Sequence, residues 1–347
     1  MNHIFPLSII VFSMLAAFLI AISFSPLYLK FLHQHKLGKN LRTHDTTGAL
    51  ATIFRSLHAK KEGTPTMGGI LIWLTVLVVV LGSRLLSFWG FIPKSLLDRG
   101  EVYLPLFTLI TMGILGAIDD YLNIIQSKHK GLAVKPKFFF IFLFAAIGAC
   151  WFYFKLGYAS IYLPYLGDIH LGLWYIPLFI FIILASANAV NITDGLDGLA
   201  GGLLVPAFGA LAILAYVSGL FTLSTFCAVI IGATLAFLWH NVPPAKFYMG
   251  DTGALALGAT LGVISMMTNF AFILPIIGSV FVIETLSVII QVSSKKLRHG
   301  KKVFKIAPLH HHFEAIGWTE SQVVMRAWIF GGFFTCAGIV LGLLAIN

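Results

Sequence analysis

The sequence predicts an all-α polytopic membrane protein with about ten transmembrane helices, and three observations support this fold class. Of its 347 residues, 59% are hydrophobic and only 10% are charged, and the mean hydropathy is +0.94, whereas soluble domains carry about 25% charged residues. Apolar runs close to the roughly 20 residues needed to cross a bilayer recur along the whole chain. The basic residues lie in the loops between these runs, as the positive-inside rule describes.

The length rule places ten predicted spans along the chain. They lie near 6–30, 67–87, 103–122, 137–156, 173–190, 199–218, 222–240, 252–268, 272–292 and 325–345. The first run is too long for the apolar part of a signal peptide and lacks a basic start, so we expect it to be retained. With no internal repeat or soluble segment evident, residues 1–347 are predicted to form one membrane domain. An alternating stretch at 161–173 predicts a small β-hairpin around Gly167-Asp168.

The distribution of Lys and Arg predicts the orientation. Four of the 23 lie in loops on one side, namely Arg84, Lys94, Arg99 and Lys155, and all the others lie on the opposite side. The richer side is predicted to be cytoplasmic, with both termini periplasmic or external. The net charge of +10 is then explained without a nucleic-acid partner. The three cysteines lie in predicted helices and show neither metal-ligand spacing nor a disulfide pattern.

Five of the 13 acidic residues lie at ends of predicted helices on the cytoplasmic face. They are Asp119, Asp120, Asp194, Asp197 and Asp251. Because a charge at the bilayer centre costs roughly 2.5–3.5 kcal/mol, we expect these carboxylates to gather around a positive group. Magnesium carrying a phosphate is the natural candidate. The cytoplasmic face is therefore the predicted site of catalysis.

Structural roles compete with this interpretation for each acidic motif. Adjacent helix positions point about 100° apart, so Asp119 and Asp120 need not serve one partner; one could bind metal while the other accepts a proton. The alternatives are helix-end charges for this pair, turn chemistry for the two Asp-Gly steps and an N-cap for Asp251.

Residues 188–198 predict contacts with a nucleoside or a sugar. Asn188, Asn191 and Asp194 share one helical face by their spacing, and amides with carboxylates suit ligands that both donate and accept hydrogen bonds. Gly195 would allow a break in the helix and close approach of a ligand to the backbone. Tyr248, in a Pro-containing loop, could stack on a base.

Two further cytoplasmic motifs, at 63–69 and 307–314, are less specific. The first only loosely resembles a phosphate-cradling loop, because it lacks the Walker pattern; Lys60 and Lys61 before it could contact a diphosphate as point charges. His310, His311 and His312 could form a metal-binding tract. Hydrogen bonds to phosphate or sugar oxygens are favoured over a zinc site, since consecutive side chains diverge. A solvated polar loop is the structural alternative.

Taken in order, the motifs at 63–69, 119–121, 188–200, 249–251 and 307–314 resemble those of the bacterial phospho-N-acetylmuramoyl-pentapeptide transferases, the MraY family within the polyprenyl-phosphate sugar-1-phosphate transferases. The resemblance covers essentially the whole chain. It implies transfer of phospho-N-acetylmuramoyl-pentapeptide from UDP-MurNAc-pentapeptide to undecaprenyl phosphate, with release of UMP and formation of lipid I for peptidoglycan synthesis. It also implies an Mg²⁺ cofactor, a multi-pass protein of the bacterial cytoplasmic (inner) membrane in contact with membrane lipid, and a homodimer as one assembly.

The resemblance implies roles for individual residues. Asp119, Asp120, Asp251 and His310 are similar to the catalytic residues of the family, with Asp251 and Asp120 as metal ligands and Asp119 as the proposed base. The implied substrate-binding residues are Lys61, Thr66, Lys135, Asn188, Asn191, Asp194, Gly195, Asp197, Asn241, Tyr248, Gln291, His311 and His312. Tyr248 departs from the phenylalanine expected in the family pattern but keeps an aromatic face.

Two other functions compete with this assignment. A sister enzyme that moves N-acetylglucosamine phosphate to a polyprenyl carrier would share the aspartates and magnesium, but the histidines and the 63–69 motif favour the muramoyl enzyme. A secondary transporter would have broken helices and charges at the membrane midplane. Here the charges lie at one face and no repeat is evident.

Overall fold

The computed structural model describes residues 4–38, 61, 63–125, 134–163 and 166–346. Within these ranges the chain forms twelve α-helices and one two-stranded sheet. Helices α1 to α12 comprise Ile4–Gln34, Gly69–Phe88, Tyr103–Ile125, Val134–Cys150, Tyr175–Thr193, Leu199–Val217, Phe221–Asn241, Asp251–Met267, Leu274–Ile277, Ser279–Leu297, Leu309–Ala315 and Glu320–Ile346. A π-helical turn, Trp151–Lys155, extends α4.

The helical fold class is confirmed, and each of the ten predicted spans coincides with helix. Eight helices among the described residues are long and apolar enough to cross a membrane. The helices at the other two predicted spans do not meet this criterion of length and apolar composition, each for a different reason. Helix α8 is apolar but has only 17 residues, and α10 carries Glu284, Lys295 and Lys296. The predicted span 272–292 is also divided, because the chain turns at Gly278 between α9 and α10.

Helix α8 forms the centre of the bundle. Every residue from Thr252 to Met266 is buried, and α8 packs mainly between α3 and α5. Around this centre α1 packs on α7, α7 on α6, and α6 on α12. A helix enclosed by protein does not contact lipid, which explains why α8 can be short and rich in Gly and Ala. Its first residue, Asp251, therefore starts inside the bundle.

A β-hairpin lies at the end of the bundle remote from Asp251. Strands β1 (Ser160–Leu163) and β2 (Gly167–His170) pair antiparallel, with Leu163 opposite Gly167. The predicted hairpin is therefore confirmed, although Gly167 and Asp168 lie in its second strand rather than in the turn. Asn269, after α8, accepts the N–H of Tyr162 at 3.0 Å and donates to Asp168 at 3.2 Å, which ties the hairpin to the central helix.

Several basic residues used to predict orientation lie outside the described residues. They are Lys39, Arg42, Arg55, Lys60, Lys128 and Lys130. The described ends of α3, α5 and α7 and the starts of α4, α8 and α12 meet at one end of the bundle, where their polar side chains contact one another. We call this end the site face.

Candidate active site

A lysine joins two of the predicted catalytic carboxylates. Lys137 Nζ, from the first turn of α4, contacts Asp119 Oδ2 of α3 at 3.2 Å and also donates to Asp251 Oδ2 of α8. The other oxygen of Asp251 accepts a 2.7 Å hydrogen bond from Asn191 Nδ2 at the end of α5. Four helices thus meet at Asp251. We call Asp251, Lys137, Asp119 and Asn191 the carboxylate cluster.

Asp120 interacts with the start of α8 instead. Its Oδ1 accepts the backbone N–H of Asp251 at 3.3 Å, and its Oδ2 accepts that of Thr252 at 3.1 Å. A carboxylate placed there satisfies two of the N–H groups that a helix leaves unpaired at its N-terminus and is favoured by the helix dipole. Asp119 and Asp120 therefore serve different partners, as the angle between adjacent helix positions suggested.

Gly250, just before α8, is held in a conformation that requires glycine. Its φ of 71° and ψ of 175° lie in a region essentially limited to glycine. A Cβ added here would lie 2.3 Å from Asp120 Oδ2 and 2.7 Å from Thr66 Oγ1. The N–H of Gly250 donates to Asp194 Oδ2 at 3.2 Å. Thr66 Oγ1 is itself buried without a hydrogen-bond partner in the described protein.

A second cluster lies around Lys61. Its Nζ donates to Asp197 Oδ1 at 2.6 Å and to Glu320 Oε1, at the start of α12. Asp197 Oδ2 accepts the N–H of Ala245 at 2.9 Å, and Glu320 Oε1 also accepts the N–H of Asp197 at 2.8 Å. Burial works against the charge on Lys61, but the hydrogen bonds to Asp197 and Glu320 outweigh it and raise the pKa of Lys61. We call Lys61, Asp197 and Glu320 the lysine clamp.

The 63–69 motif forms a backbone ladder with the loop that carries Tyr248. The N–H of Tyr248 donates to the carbonyl oxygen of Pro65 at 2.8 Å, and the carbonyl oxygen of Tyr248 accepts the N–H of Gly68 at 2.8 Å. The N–H of Gly69 donates to the carbonyl oxygen of Met249 at 2.9 Å. These bonds use N–H groups that a phosphate-binding loop would keep free, so the motif acts as a support for Tyr248. Burial raises the pKa of the Tyr248 hydroxyl, although a hydrogen bond with Thr64 opposes this.

Asn241 and Gln291 direct their amides towards the protein's own loops. Asn241 accepts the N–H of Gly198 at 3.0 Å and donates to the carbonyl of Phe247 at 2.9 Å. Gln291 accepts the N–H groups of Val303 and Phe304, both at 3.0 Å. Both side chains are buried. Asn241 therefore fixes the loops next to the lysine clamp, and Gln291 fixes the loop that precedes the histidines.

The three histidines begin the short helix α11 and point to different partners. His310 Nδ1 lies 3.1 Å from Glu284 Oε2, His311 Nδ1 lies 2.7 Å from Glu314 Oε2, and His312 Nδ1 accepts the N–H of Lys305 at 3.2 Å. The Nδ1 atoms of the three rings are thus directed to three different partners.

His310 is the histidine that faces the other site residues. Its Nε2 is buried without a hydrogen-bond partner in the described protein, and it lies against the backbone of Gly195. A Cβ added to Gly195 would be 2.2 Å from that nitrogen. Gly195 is therefore required for the close approach of His310 to the 194–198 loop.

The structure brings most of the predicted residues into contact with one another at the site face, but Lys135 and Asn188 differ. Lys135 is exposed, two positions before the Lys137 that joins Asp119 to Asp251. Asn188 donates to the carbonyl of Leu184 in its own helix at 2.7 Å. Lys137, Glu284 and Glu320 were missed by the sequence analysis. For Lys137 and Glu284 a signal was available, because both lie inside predicted spans, where ionisable groups are functional by default.

The carboxylate cluster offers oxygen atoms of the kind that magnesium binds. The described part of the chain holds no ready group of three His, Cys, Asp or Glu side chains around one point. Magnesium, however, usually binds through one or two carboxylates together with substrate phosphates. The Lys137 ammonium lies between Asp119 and Asp251 and marks a position where the protein holds a cation. Asp119 and Asp251 therefore fit the ion, with oxygens of the hard type that it prefers.

The chain is similar to known proteins over nearly its full length. Residues 102–269 match the model of glycosyl transferase family 4, and residues 61–72 match signature 1 of the phospho-N-acetylmuramoyl-pentapeptide-transferases. A relative of that name from Geobacillus sp. (strain WCH70) is 41% identical over 96% of this chain and 98% of its own length. A relative from Chloroflexus aurantiacus is 39% identical over 95% of this chain and 88% of its own length. A relative from Shouchella clausii is 40% identical over 96% of this chain and 97% of its own length. With this identity over nearly its full length, the chain belongs to the phospho-N-acetylmuramoyl-pentapeptide-transferase family.

Proposed function

We propose that the protein transfers phospho-N-acetylmuramoyl-pentapeptide from its UDP-linked donor to undecaprenyl phosphate, which releases UMP and forms lipid I for peptidoglycan synthesis. The observation that carries this proposal is the carboxylate cluster of Asp119, Lys137 and Asp251 at the site face, next to the lysine clamp. In the reaction an oxygen of the acceptor phosphate bonds to the sugar-linked phosphorus of the donor. The bond from that phosphorus to the bridging oxygen breaks, and UMP leaves with that oxygen.

The surroundings of the carboxylate cluster suit a lipid acceptor. Ile118 and Tyr121 flank Asp119, and Phe138 follows Lys137; their side chains are 48%, 50% and 44% exposed. Apolar side chains close to the cluster in sequence are therefore exposed on the outside of the bundle. A phosphate on an isoprenoid chain can reach the Lys137 ammonium there while the chain stays among apolar groups.

Positioning and charge neutralisation are the main contributions of these residues. The reaction brings several phosphate charges together, and preorganised cationic groups stabilise such charge most effectively. Lys137 would neutralise the acceptor phosphate, and Asp119 would orient it and accept any remaining proton. Bound Mg²⁺, which Asp251 would hold, would supply Lewis-acid stabilisation of the phosphate charges. Asp120 remains a predicted ligand, although both its oxygens accept N–H groups of α8.

The lysine clamp and Tyr248 form the donor side of the proposed site. Lys61 is a point charge for the diphosphate, and Tyr248 offers an aromatic face to uracil. Asp194 and Gly195 lie in the chain between Asn191 of the carboxylate cluster and Asp197 of the lysine clamp. His310 Nε2, a buried ring nitrogen without a partner in the described chain, would hydrogen-bond to a phosphate or sugar oxygen.

The proposed orientation places the site face in the cytoplasm and the protein in the bacterial inner membrane. Lys61, Lys246 and the Lys295–Lys305 segment lie at the site face, whereas Arg84 lies at the other end, which supports this orientation by the positive-inside rule. Labelling of single introduced cysteines in intact cells checks it. A homodimer is proposed from the family resemblance, and cross-linking in native membranes is its test.

The decisive experiment measures UMP release by the purified protein in detergent with magnesium and a polyprenyl phosphate. The donors compared are UDP-MurNAc-pentapeptide and UDP-N-acetylglucosamine. We expect release from the muramoyl donor alone, and loss of release when a chelator removes the magnesium. Release from the acetylglucosamine donor would assign the chain to the sister activity, and no release from either donor would reject a transferase.

Lys61→Ala is expected to raise the Michaelis constant for the nucleotide donor roughly tenfold, since loss of one charge-assisted contact costs about 1.5–3 kcal/mol when it is fully formed. The Michaelis constant for the lipid acceptor should change little, because Lys61 lies in the clamp and not in the carboxylate cluster. The measurement is steady-state UMP release with each substrate varied in turn. Lys302→Ala, which removes an exposed lysine, is the control, and an unchanged donor constant in Lys61→Ala would refute the assignment.

A further inference from the structure

Glu320 connects the last helix to the proposed donor site. Its Oε1 accepts a hydrogen bond from Lys61 Nζ and a 2.8 Å bond from the N–H of Asp197. The side chain is only 20% exposed. Glu320 belongs to none of the motifs that predicted the site, and it lies six residues beyond the last of them.

The hydrogen bonds of Lys61 to Asp197 and Glu320 determine where its ammonium group points. An ammonium has three N–H donors, and Asp197 and Glu320 each direct one of them. The direction of the third donor is then fixed by the tetrahedral geometry of the nitrogen. A long lysine side chain otherwise pays a large conformational cost to hold one position. Glu320 reduces that cost before any ligand arrives.

The same carboxylate also holds the loop that contains Asp197. Its bond to the Asp197 N–H fixes the backbone just after Gly195, which contacts His310. Helix α12 is anchored on this loop a second time, because Trp328 Nε1 donates to the carbonyl of Gly198 at 3.2 Å. Since Trp328 and the packing against α6 remain when Glu320 is replaced, α12 should keep its place and the effect of a substitution should stay local.

We infer that Glu320 is a positioning residue for the nucleotide donor, which aims the Lys61 ammonium and orders the 195–198 loop before binding. The inference rests on the proposed function, in which Lys61 contacts the donor diphosphate. Glu320 itself does not contact the reacting atoms. Its replacement should therefore weaken donor binding without slowing the reaction of bound substrates.

The test uses the full-length protein in detergent, with UMP binding measured by calorimetry and UMP release measured with the donor and acceptor varied in turn. Glu320→Ala should weaken UMP binding and raise the donor Michaelis constant about tenfold, within the range of couplings between contacting residues. The turnover number and the acceptor constant should stay within about twofold. Glu320→Gln keeps an oxygen for the Asp197 N–H but loses the charge, so it should show a smaller effect than Glu320→Ala. It also keeps the inference testable if the alanine variant fails to fold.

The double variant Lys61→Ala/Glu320→Ala shows whether Glu320 acts through Lys61. It should bind UMP no more than about twofold less tightly than Lys61→Ala alone, because residues in one network are not additive. Ser321→Ala, an exposed neighbour on the same helix turn, should behave as the wild type.

The outcomes separate this inference from the proposed function. If the wild type releases UMP but Glu320→Ala and Glu320→Gln keep its donor and UMP affinities, the inference is wrong and the function stands. Tighter UMP binding by Glu320→Ala would mean that the Glu320 carboxylate competes with the nucleotide for Lys61, and it would also overturn the inference. Fully additive effects in the double variant would show that Glu320 does not act through Lys61. Failure of the wild type to bind UMP or release it would overturn both.

Discussion

Asp251→Asn is expected to lower the turnover number for UMP release by roughly a hundredfold to a thousandfold, the range seen when one preorganised charge-stabilising group is removed. Asp251 accepts bonds from both Lys137 and Asn191. An amide offers one oxygen where two acceptors are needed, so its NH₂ group must face either the ammonium or the Asn191 amide. The substitution also removes one of the two carboxylates that fit a magnesium ion.

The variant should remain folded, because residue 251 keeps nearly the same volume and its backbone N–H still donates to Asp120. The measurement is UMP release at saturating substrates over a range of magnesium concentrations, with size-exclusion chromatography and thermal unfolding as checks of folding. Asp168→Asn, an exposed acid in the remote hairpin, is the matched control. Near-normal turnover by Asp251→Asn would eliminate Asp251 as a metal ligand.

Gly250→Ala is expected to abolish activity and to lower the unfolding temperature in detergent. The added methyl group would lie 2.3 Å from Asp120 Oδ2, in a backbone conformation that costs about 1–3 kcal/mol for other residues. Relief of this contact must move either Asp120 or the start of α8. Movement of α8 would separate Asp251 from Lys137 and Asn191. Movement of Asp120 would release the backbone N–H groups of Asp251 and Thr252, so activity should be lost even in molecules that remain folded.

Gly209→Ala provides the control for Gly250→Ala. Gly209 lies within α6, and a Cβ added there meets no atom within 4 Å. Alanine also has the better helix propensity, by about 0.8–1.0 kcal/mol, so this variant should be as stable as the wild type and fully active. The comparison uses UMP release and thermal unfolding of both purified variants. Equal behaviour of the two would mean that the tight fit of Gly250 has no catalytic importance.

The helices could be predicted from the sequence because apolar length alone specifies them. Predicted and observed ends of α2, α6 and α7 differ by two residues or fewer. The prediction failed where length was the wrong criterion. Helix α10 continues to Leu297 past Lys295 and Lys296, since polar residues can extend a helix beyond the apolar run. The break at Gly278 lies inside an apolar stretch whose hydropathy gives no sign of it.

The site was predicted in its residue types but not in its pairings. Asp119 and Asp251 were identified because acids are rare at the ends of apolar helices. Which cation lies between them depends on how α3, α4 and α8 pack. Lys137 fills this position, and it was not among the predicted site residues. Glu320 resembles an ordinary first-turn acid of a helix. Its contact with Lys61 is a tertiary one, and no local pattern reveals it.

The long separation in sequence between Lys61 and Glu320 has a consequence for biosynthesis. The two residues are 259 positions apart, and ribosomes add about 5–20 residues per second, so Lys61 leaves the ribosome roughly 10–50 s before its partner. The carboxylate cluster can assemble once α8 has entered the membrane, but the clamp must wait for α12. If the clamp binds the nucleotide as proposed, a nascent chain cannot hold the donor firmly until its last helix is in place.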